Sequence, residues 1–225
     1  MSVPTVAVIQ GMELLHADAA FLVLDKPAGL LSVPGRGADK QDCLSGRVQQ
    51  QFADALIVHR LDMATSGLML MARGAAMQRQ LSQAFASRRV HKRYIAVVDG
   101  HVATPIDEWG VIELPILVDW PRRPLRIVDP RGQPSVTRWR VLAHELGADG
   151  RPQTRLELEP VTGRTHQLRV HLQAIGHAIL GDALYANDAV RARNERLLLH
   201  ASELALKHPV SGEPLHFSSM PAWQP

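Results

Sequence analysis

The chain has 225 residues, of which 46% are hydrophobic and 21% charged, with a formal charge of +3 and one cysteine. That length suits one domain, residues 1–225, whose core needs no staples. A single cysteine, Cys43, excludes an internal disulfide framework and a cysteine-rich zinc site, and it reads as an intracellular chain with a structural thiol. The opening stretch MSVPTVAVIQGMELLHADAA has no basic region and no uninterrupted apolar core. Neither a signal peptide nor a span of about 20 apolar residues is expected there, which predicts a cytoplasmic protein off the membrane.

The elements follow in chain order. AFLVLDKPAGLLSVPG, residues 20–35, predicts a strand, a Pro-Ala-Gly turn and a second short run. CLSGRVQQQF, 43–52, predicts a helix. ALIVHR, 55–60, and GLMLMAR, 67–73, read as buried strands on either side of a turn. In 75–89 the apolar residues Met77, Leu81 and Phe85 recur every four positions, a helical face. RYIAVVDG, 93–100, predicts a strand ending in an Asp-Gly turn. The Pro-rich stretch from Pro115 to Pro134 reads as an ordered, irregular insertion. Residues 136–146 and 153–161 alternate polar with apolar, as half-buried strands do. In 162–177, Thr162 is a candidate cap, Leu168, Leu172 and Ile175 share a face, and Gly176 marks the end. LLLHASELAL, 197–206, and PLHFSS, 214–219, predict closing strands. The class is α+β, a mixed and mostly antiparallel sheet flanked by helices and loops.

Charge is concentrated. SRRVHKRY (87–94), WPRRPLR (120–126), TRWR (137–140) and VRARNER (190–196) are locally basic, a pattern that fits a polyanion partner or, equally, arginines solvated on unrelated faces. Metal chemistry is not expected. His166 and His171, five apart, point about 140° from each other on a helix, and no metal-binding spacing occurs.

HRLDMATSGLML, residues 59–70, is different. Asp62 lies between two apolar runs, where a lone carboxylate is costly to desolvate. Arg60, two residues away, falls on the same side of an extended backbone. Either Asp62 caps the turn ahead of Thr65-Ser66-Gly67, or it does chemistry. TGRTHQLRVH, 162–171, raises the same question through Arg164 and Arg169, since a buried arginine calls for a buried carboxylate.

These residues carry a resemblance. HRLDMATSGLML resembles the signature of the RluA-type pseudouridine synthase family. KRYIAVVDG (92–100) is similar to that family's second motif, a tyrosine in a strand, and TGRTHQLRVHLQAIGHAILGDALY (162–185) to its third. DKPAGLLSVPG and LLLHASELAL also fit, so the likeness runs in order along nearly the whole chain. The short length without an S4-type RNA-binding domain, together with DWPRRP (119–124), is most similar to the small dual-specificity branch that modifies 23S rRNA and tRNA.

The resemblance implies isomerisation of uridine to pseudouridine in RNA, with no cofactor or metal. Asp62 matches the catalytic aspartate, acting at the sugar C1′ or removing a ribose proton. Arg164 matches the arginine that pairs with that carboxylate, and Tyr94 the catalytic tyrosine that stacks on the target base and is implied to assist deprotonation at C5. Arg60 is implied to fill the space left by the extruded uridine. Further substrate contacts are implied for His59, Thr65, Arg93, His166, Gln167 and Arg169. A monomer acting on an RNA stem-loop is the expectation. The alternatives are a synthase specific for 23S rRNA, an inactive RNA-binding module, which would lack Asp62, and a glycosidase, which would need a second carboxylate in the motifs.

Overall fold

The computed structural model describes residues 7–103 and 107–223. In chain order its elements are β1 (Ala7–Ile9), β2 (Met12–Ala17), β3 (Phe21–Lys26), α1 (Leu44–Gln49), β4 (Ala55–Ile57), β5 (Ser66–Arg73) and α2 (Gly74–Ala86). They continue with β6 (His91–Asp99), β7 (Trp109–Glu113), β8 (Ile116–Val118), β9 (Arg126–Val128), β10 (Val136–Leu146) and β11 (Pro152–Pro160). The last are α3 (Gln167–Ala174), α4 (Asp188–Arg191), β12 (Leu199–Lys207) and β13 (Pro214–Ser218). Two compact units result. One holds the described residues up to His91 with Ala201–Pro221, and the other holds Lys92–His200 with the residues after Pro221.

In the first unit the strand order is β1-β2-β3-β5-β12, with β4 beside β5 and β13 beside β12. β3 and β5 pair antiparallel from Phe21↔Ala72 to Lys26↔Gly67. Both are buried along almost their whole length, so their sequences are continuous apolar runs rather than alternating ones. Phe21, Val23, Leu68, Leu70, Leu204 and Leu206 form one cluster, and α2 closes it. Leu81 is its buried residue, and Met77 and Phe85 pack beside it, as the four-residue spacing predicts. Cys43 is buried and caps α1, its Sγ accepting the Gly46 N–H.

In the second unit the order is β6-β11-β10-β7, each pairing antiparallel. β10 and β11 alternate in burial as their sequences do, and β10 carries an irregularity between Val141 and Ala143. The Pro115–Pro134 insertion is more regular than its composition implied. β8 and β9 pair from Ile116↔Val128 to Val118↔Arg126, a hairpin whose tip is 119–125. Nor does Thr162 cap a helix. α3 begins at Gln167, after His166 in the left-handed region at φ 58°, and Thr162 instead bonds the Gln167 side chain. β1, β2 and β7 are additional to the expected strands; they are short or only half-buried, which weakens their periodic signal.

Candidate active site

The segment 59–65 runs from the end of β4 into β5, and residues far from it in sequence hold its backbone. Ser32 Oγ donates to the Leu61 carbonyl at 2.7 Å and accepts the Leu61 N–H at 3.1 Å. The Met63 carbonyl accepts the Gly29 N–H at 2.8 Å and the Lys26 ammonium at 3.2 Å. Lys26 is fully buried, and its Nζ also donates to the carbonyls of Pro27 and Leu30, each at 2.8 Å. Alternation along β3 puts this lysine on an interior face, where an ammonium is tolerable only among acceptors. The turn from Lys26 to Leu30 supplies two of those acceptors, and Met63 supplies the third. The Thr65 N–H returns to the Asp62 carbonyl at 3.1 Å and closes a four-residue turn. At its entrance His59 stacks on Phe85, 4.3 Å between centroids, and its Nε2 accepts the Leu70 N–H at 2.9 Å. Accepting at Nε2 leaves the neutral ring's proton on Nδ1.

The turn therefore sorts its side chains. Leu61 and Thr65 are buried, Asp62 is half-buried, and Arg60 and Met63 are exposed. Gly67 completes the arrangement. Its φ is +110°, and a Cβ there would lie 2.3 Å from the Ala201 carbonyl oxygen, so only glycine lets β12 pass this close. The backbone that carries the Asp62 carboxylate is thus fixed at the two residues flanking it.

The second unit holds the remaining candidates. Tyr94 is half-buried on β6 opposite Leu158. Arg93, its neighbour, lies on the other face of the strand. There it bonds Glu157 at 2.6 Å and sits 5.5 Å from the Trp109 ring centroid. Arg93 therefore does not accompany Tyr94, because strand alternation separates adjacent residues.

The 162–169 loop is knitted together by Gln167. Its Oε1 accepts from Thr162 Oγ1 at 2.7 Å and from the Arg164 N–H at 3.0 Å. Its Nε2 donates to the Val136 carbonyl and to Thr137 Oγ1, each at 2.9 Å. Arg169, 4% exposed, forks onto the fully buried Asp182 through Nε–Oδ2 at 2.8 Å and Nη2–Oδ1 at 2.6 Å. Asp182 also accepts the N–H groups of Leu184 and Tyr185. His166 Nδ1 lies 2.6 Å from Tyr185 Oη. Arg164 is exposed, and its Nε donates to the Pro134 carbonyl at 3.2 Å.

Three of the residues expected at the substrate lie inside the protein. Thr65, Gln167 and Arg169 are buried, and each is bonded within its own unit. Sequence reasoning passed over Lys26, Ser32, Asp182 and Tyr185. An acidic residue inside ILGDALY was a usable signal, since a carboxylate in an apolar run calls for a buried cation. Ser32 had none. Among the described residues no group of three or more His, Cys, Asp or Glu is placed to hold a metal ion, and no helix is long and apolar enough to cross a membrane.

Comparison with known proteins covers the same residues. The profile described as RNA pseudouridylate synthase matches residues 20–174. The dual-specificity RNA pseudouridine synthase RluA of Yersinia pestis is 46% identical over 207 residues, 92% of this chain and 97% of the relative. Its namesake in Escherichia coli strain K12 is 43% identical over 207 residues, 92% and 91% of the two chains. Among solved structures, human RNA pseudouridylate synthase domain containing 1 superposes with a TM-score of 0.79 at 29% identity, over 97% of this chain and 87% of that one.

Proposed function

This chain belongs to the RNA pseudouridylate synthase family, and from that premise we propose that it isomerises loop uridines of 23S rRNA and of tRNA anticodon stem-loops, using Asp62. The observation that carries the proposal is the pinned turn: a half-buried carboxylate between the two clamped residues Leu61 and Met63, with an exposed arginine two residues before it. The family profile runs through both units, which supports their working as a single catalytic domain.

In this reading the N1–C1′ bond of a flipped uridine breaks, the uracil turns while bound, and a C5–C1′ bond forms. The C5 proton leaves and N1 is protonated, so atoms balance without a co-reactant. Asp62 acts at the ribose, either on C1′ directly or by taking a ribose proton. Tyr94 is the platform for the uracil. Arg60, exposed at the turn, fills the vacated stack. Arg164 is the cation assigned to the Asp62 carboxylate. Its bond to Pro134 occupies Nε and leaves the two Nη groups for an anion, whereas Arg169 commits two nitrogens to Asp182. The RNA is held through exposed arginines and read in its unpaired loop. The enzyme works in the cytoplasm, as a monomer.

The test is Asp62→Asn. Turnover should vanish while affinity for RNA stays within about tenfold, because shape is kept and one reacting group is lost. Multiple turnover above about 1% of wild type removes Asp62 from the central role. Assaying an anticodon stem-loop, a 23S hairpin and intact 23S rRNA in parallel separates the dual reading from a synthase acting on 23S rRNA alone.

A further inference from the structure

Trp109 and Trp120, both in the second unit, each lie against arginine, and they differ in how those arginines are paired. Trp109 lies beneath Arg93, Arg138 and Arg140 at 5.5, 4.6 and 5.2 Å. Those cations are matched by three carboxylates, Glu157 and Glu159 on the neighbouring strand and Asp107, 3.4 Å from Arg140. The result is a neutral ladder that serves the sheet. Trp120, at the tip of the β8–β9 hairpin, is 65% exposed, with the Arg123 guanidinium 4.5 Å from its ring centroid. Arg123 has no carboxylate partner among the described residues. Residues 116–128 contain three arginines and a single aspartate.

The tip is not a loose loop. Asp119, 6% exposed, accepts the Arg122 backbone N–H at 3.3 Å and the Arg122 guanidinium at 2.7 and 2.6 Å. The Asp119 N–H reaches the Leu125 carbonyl at 3.1 Å, and the Leu125 N–H the Arg122 carbonyl at 3.0 Å. One anion thus neutralises Arg122 and folds the turn, and Arg123 keeps its charge beside the indole. At its base the hairpin is tied to the 162–169 loop. The Arg126 N–H donates to Tyr185 Oη at 3.0 Å, and the same oxygen meets His166 Nδ1 at 2.6 Å. Arg164 holds the Pro134 carbonyl at the far end of the insertion.

We propose that Trp120 and Arg123 form a stacking platform for an unpaired base of the RNA, set at a fixed offset from the substrate loop by the Tyr185 link. The inference rests on the reading of the chain as an RNA pseudouridine synthase. An exposed indole backed by a cation presents one π face to a base, and the same cation attracts the adjoining phosphate. Stacking tolerates any base, so this contact selects unpaired over paired RNA rather than one sequence over another.

The experiment uses the full chain and two RNAs, a hairpin of about 17–20 nucleotides with an unpaired loop and a blunt duplex of equal length. Trp120→Ala should weaken hairpin binding by about tenfold or more and leave duplex binding nearly unchanged, while Trp120→Phe keeps most of the affinity. The salt dependence of hairpin binding should be the same in Trp120→Ala as in wild type. In Arg123→Ala its slope should fall by about 0.7, the value for one single-strand phosphate contact. Wild-type hairpin affinity in Trp120→Ala overturns the platform. So does an equal loss on hairpin and duplex, or a loss that comes with a lower melting temperature. Pseudouridine formation by the wild-type protein, measured on the same hairpin and on bulk rRNA and tRNA, tests the underlying reading separately. A wild type that forms none fails that reading, whereas an unchanged Trp120→Ala fails only the platform.

Discussion

Replacing Lys26 by methionine removes an ammonium and keeps much of the side-chain length and volume. The variant loses three donated bonds, two at 2.8 Å and one at 3.2 Å, all to backbone carbonyls. Bonds from a charged donor contribute about 1.5–3 kcal/mol each. Against that sum stands the penalty for burying the ammonium, several kcal/mol, which the methionine does not carry. The net loss should be about 2–4 kcal/mol, a large share of the roughly 5–15 kcal/mol that a domain has. Part of the loss falls on the turn that carries Asp62, because the Met63 carbonyl keeps only its bond from Gly29 of the two described above. Urea unfolding should show a lower midpoint at unchanged slope. Pseudouridine formation, measured at a temperature where the variant is folded, should show a reduced kcat with RNA affinity within a few-fold, since a fully buried side chain touches no RNA. Stability within about 0.5 kcal/mol of wild type together with an unchanged kcat would refute the clamp.

Gly67→Ala should be more damaging. It forces a φ of +110° on an L-residue and sets a Cβ 2.3 Å from the Ala201 oxygen, so β5 and β12 must part. A loss of about 3 kcal/mol or more is expected, read as a lower melting temperature or as failure to recover soluble protein. Acid should weaken the first unit through Asp18. Burial opposes its charge, but N–H groups of Phe21 and Ala20 and the rings of His16 and His208 outweigh it and lower the pKa from 3.8 to about 2. A depressed carboxylate stabilises fully above the unfolded value and loses that contribution as pH falls through the folded one. Asp18→Asn keeps an acceptor for both N–H groups but cannot titrate. Its unfolding midpoint should therefore fall less steeply than that of wild type between about pH 4 and pH 2, and parallel curves would exclude Asp18 as the source.

What could be read locally was read from the chain itself. Continuous apolar runs marked β3 and β5 as buried strands, alternation marked β10 and β11, and the spacing of Met77, Leu81 and Phe85 marked α2. These signals are periodicities of a single element, so no partner is needed to see them. The RNA synthase signature was also legible, because its residues lie within three short segments.

The destinations of the charged residues were not legible in this way. Whether Arg169 meets a substrate or a protein carboxylate depends on Asp182, 13 residues on and brought back by the chain after α3. Lys26 reads as a surface lysine at the end of a strand until the Met63 carbonyl, 37 residues away, arrives to accept from it. Arg93 and Tyr94 are adjacent in sequence, yet Glu157 and Trp109 take the arginine on the opposite face. The Pro-rich insertion became a hairpin because Asp119 folds its tip and Tyr185 holds its base. A buried charge must be compensated, but composition and spacing do not identify its partner. Chain topology decides which acceptor arrives, and so which charged residues are paired inside the fold and which stay exposed.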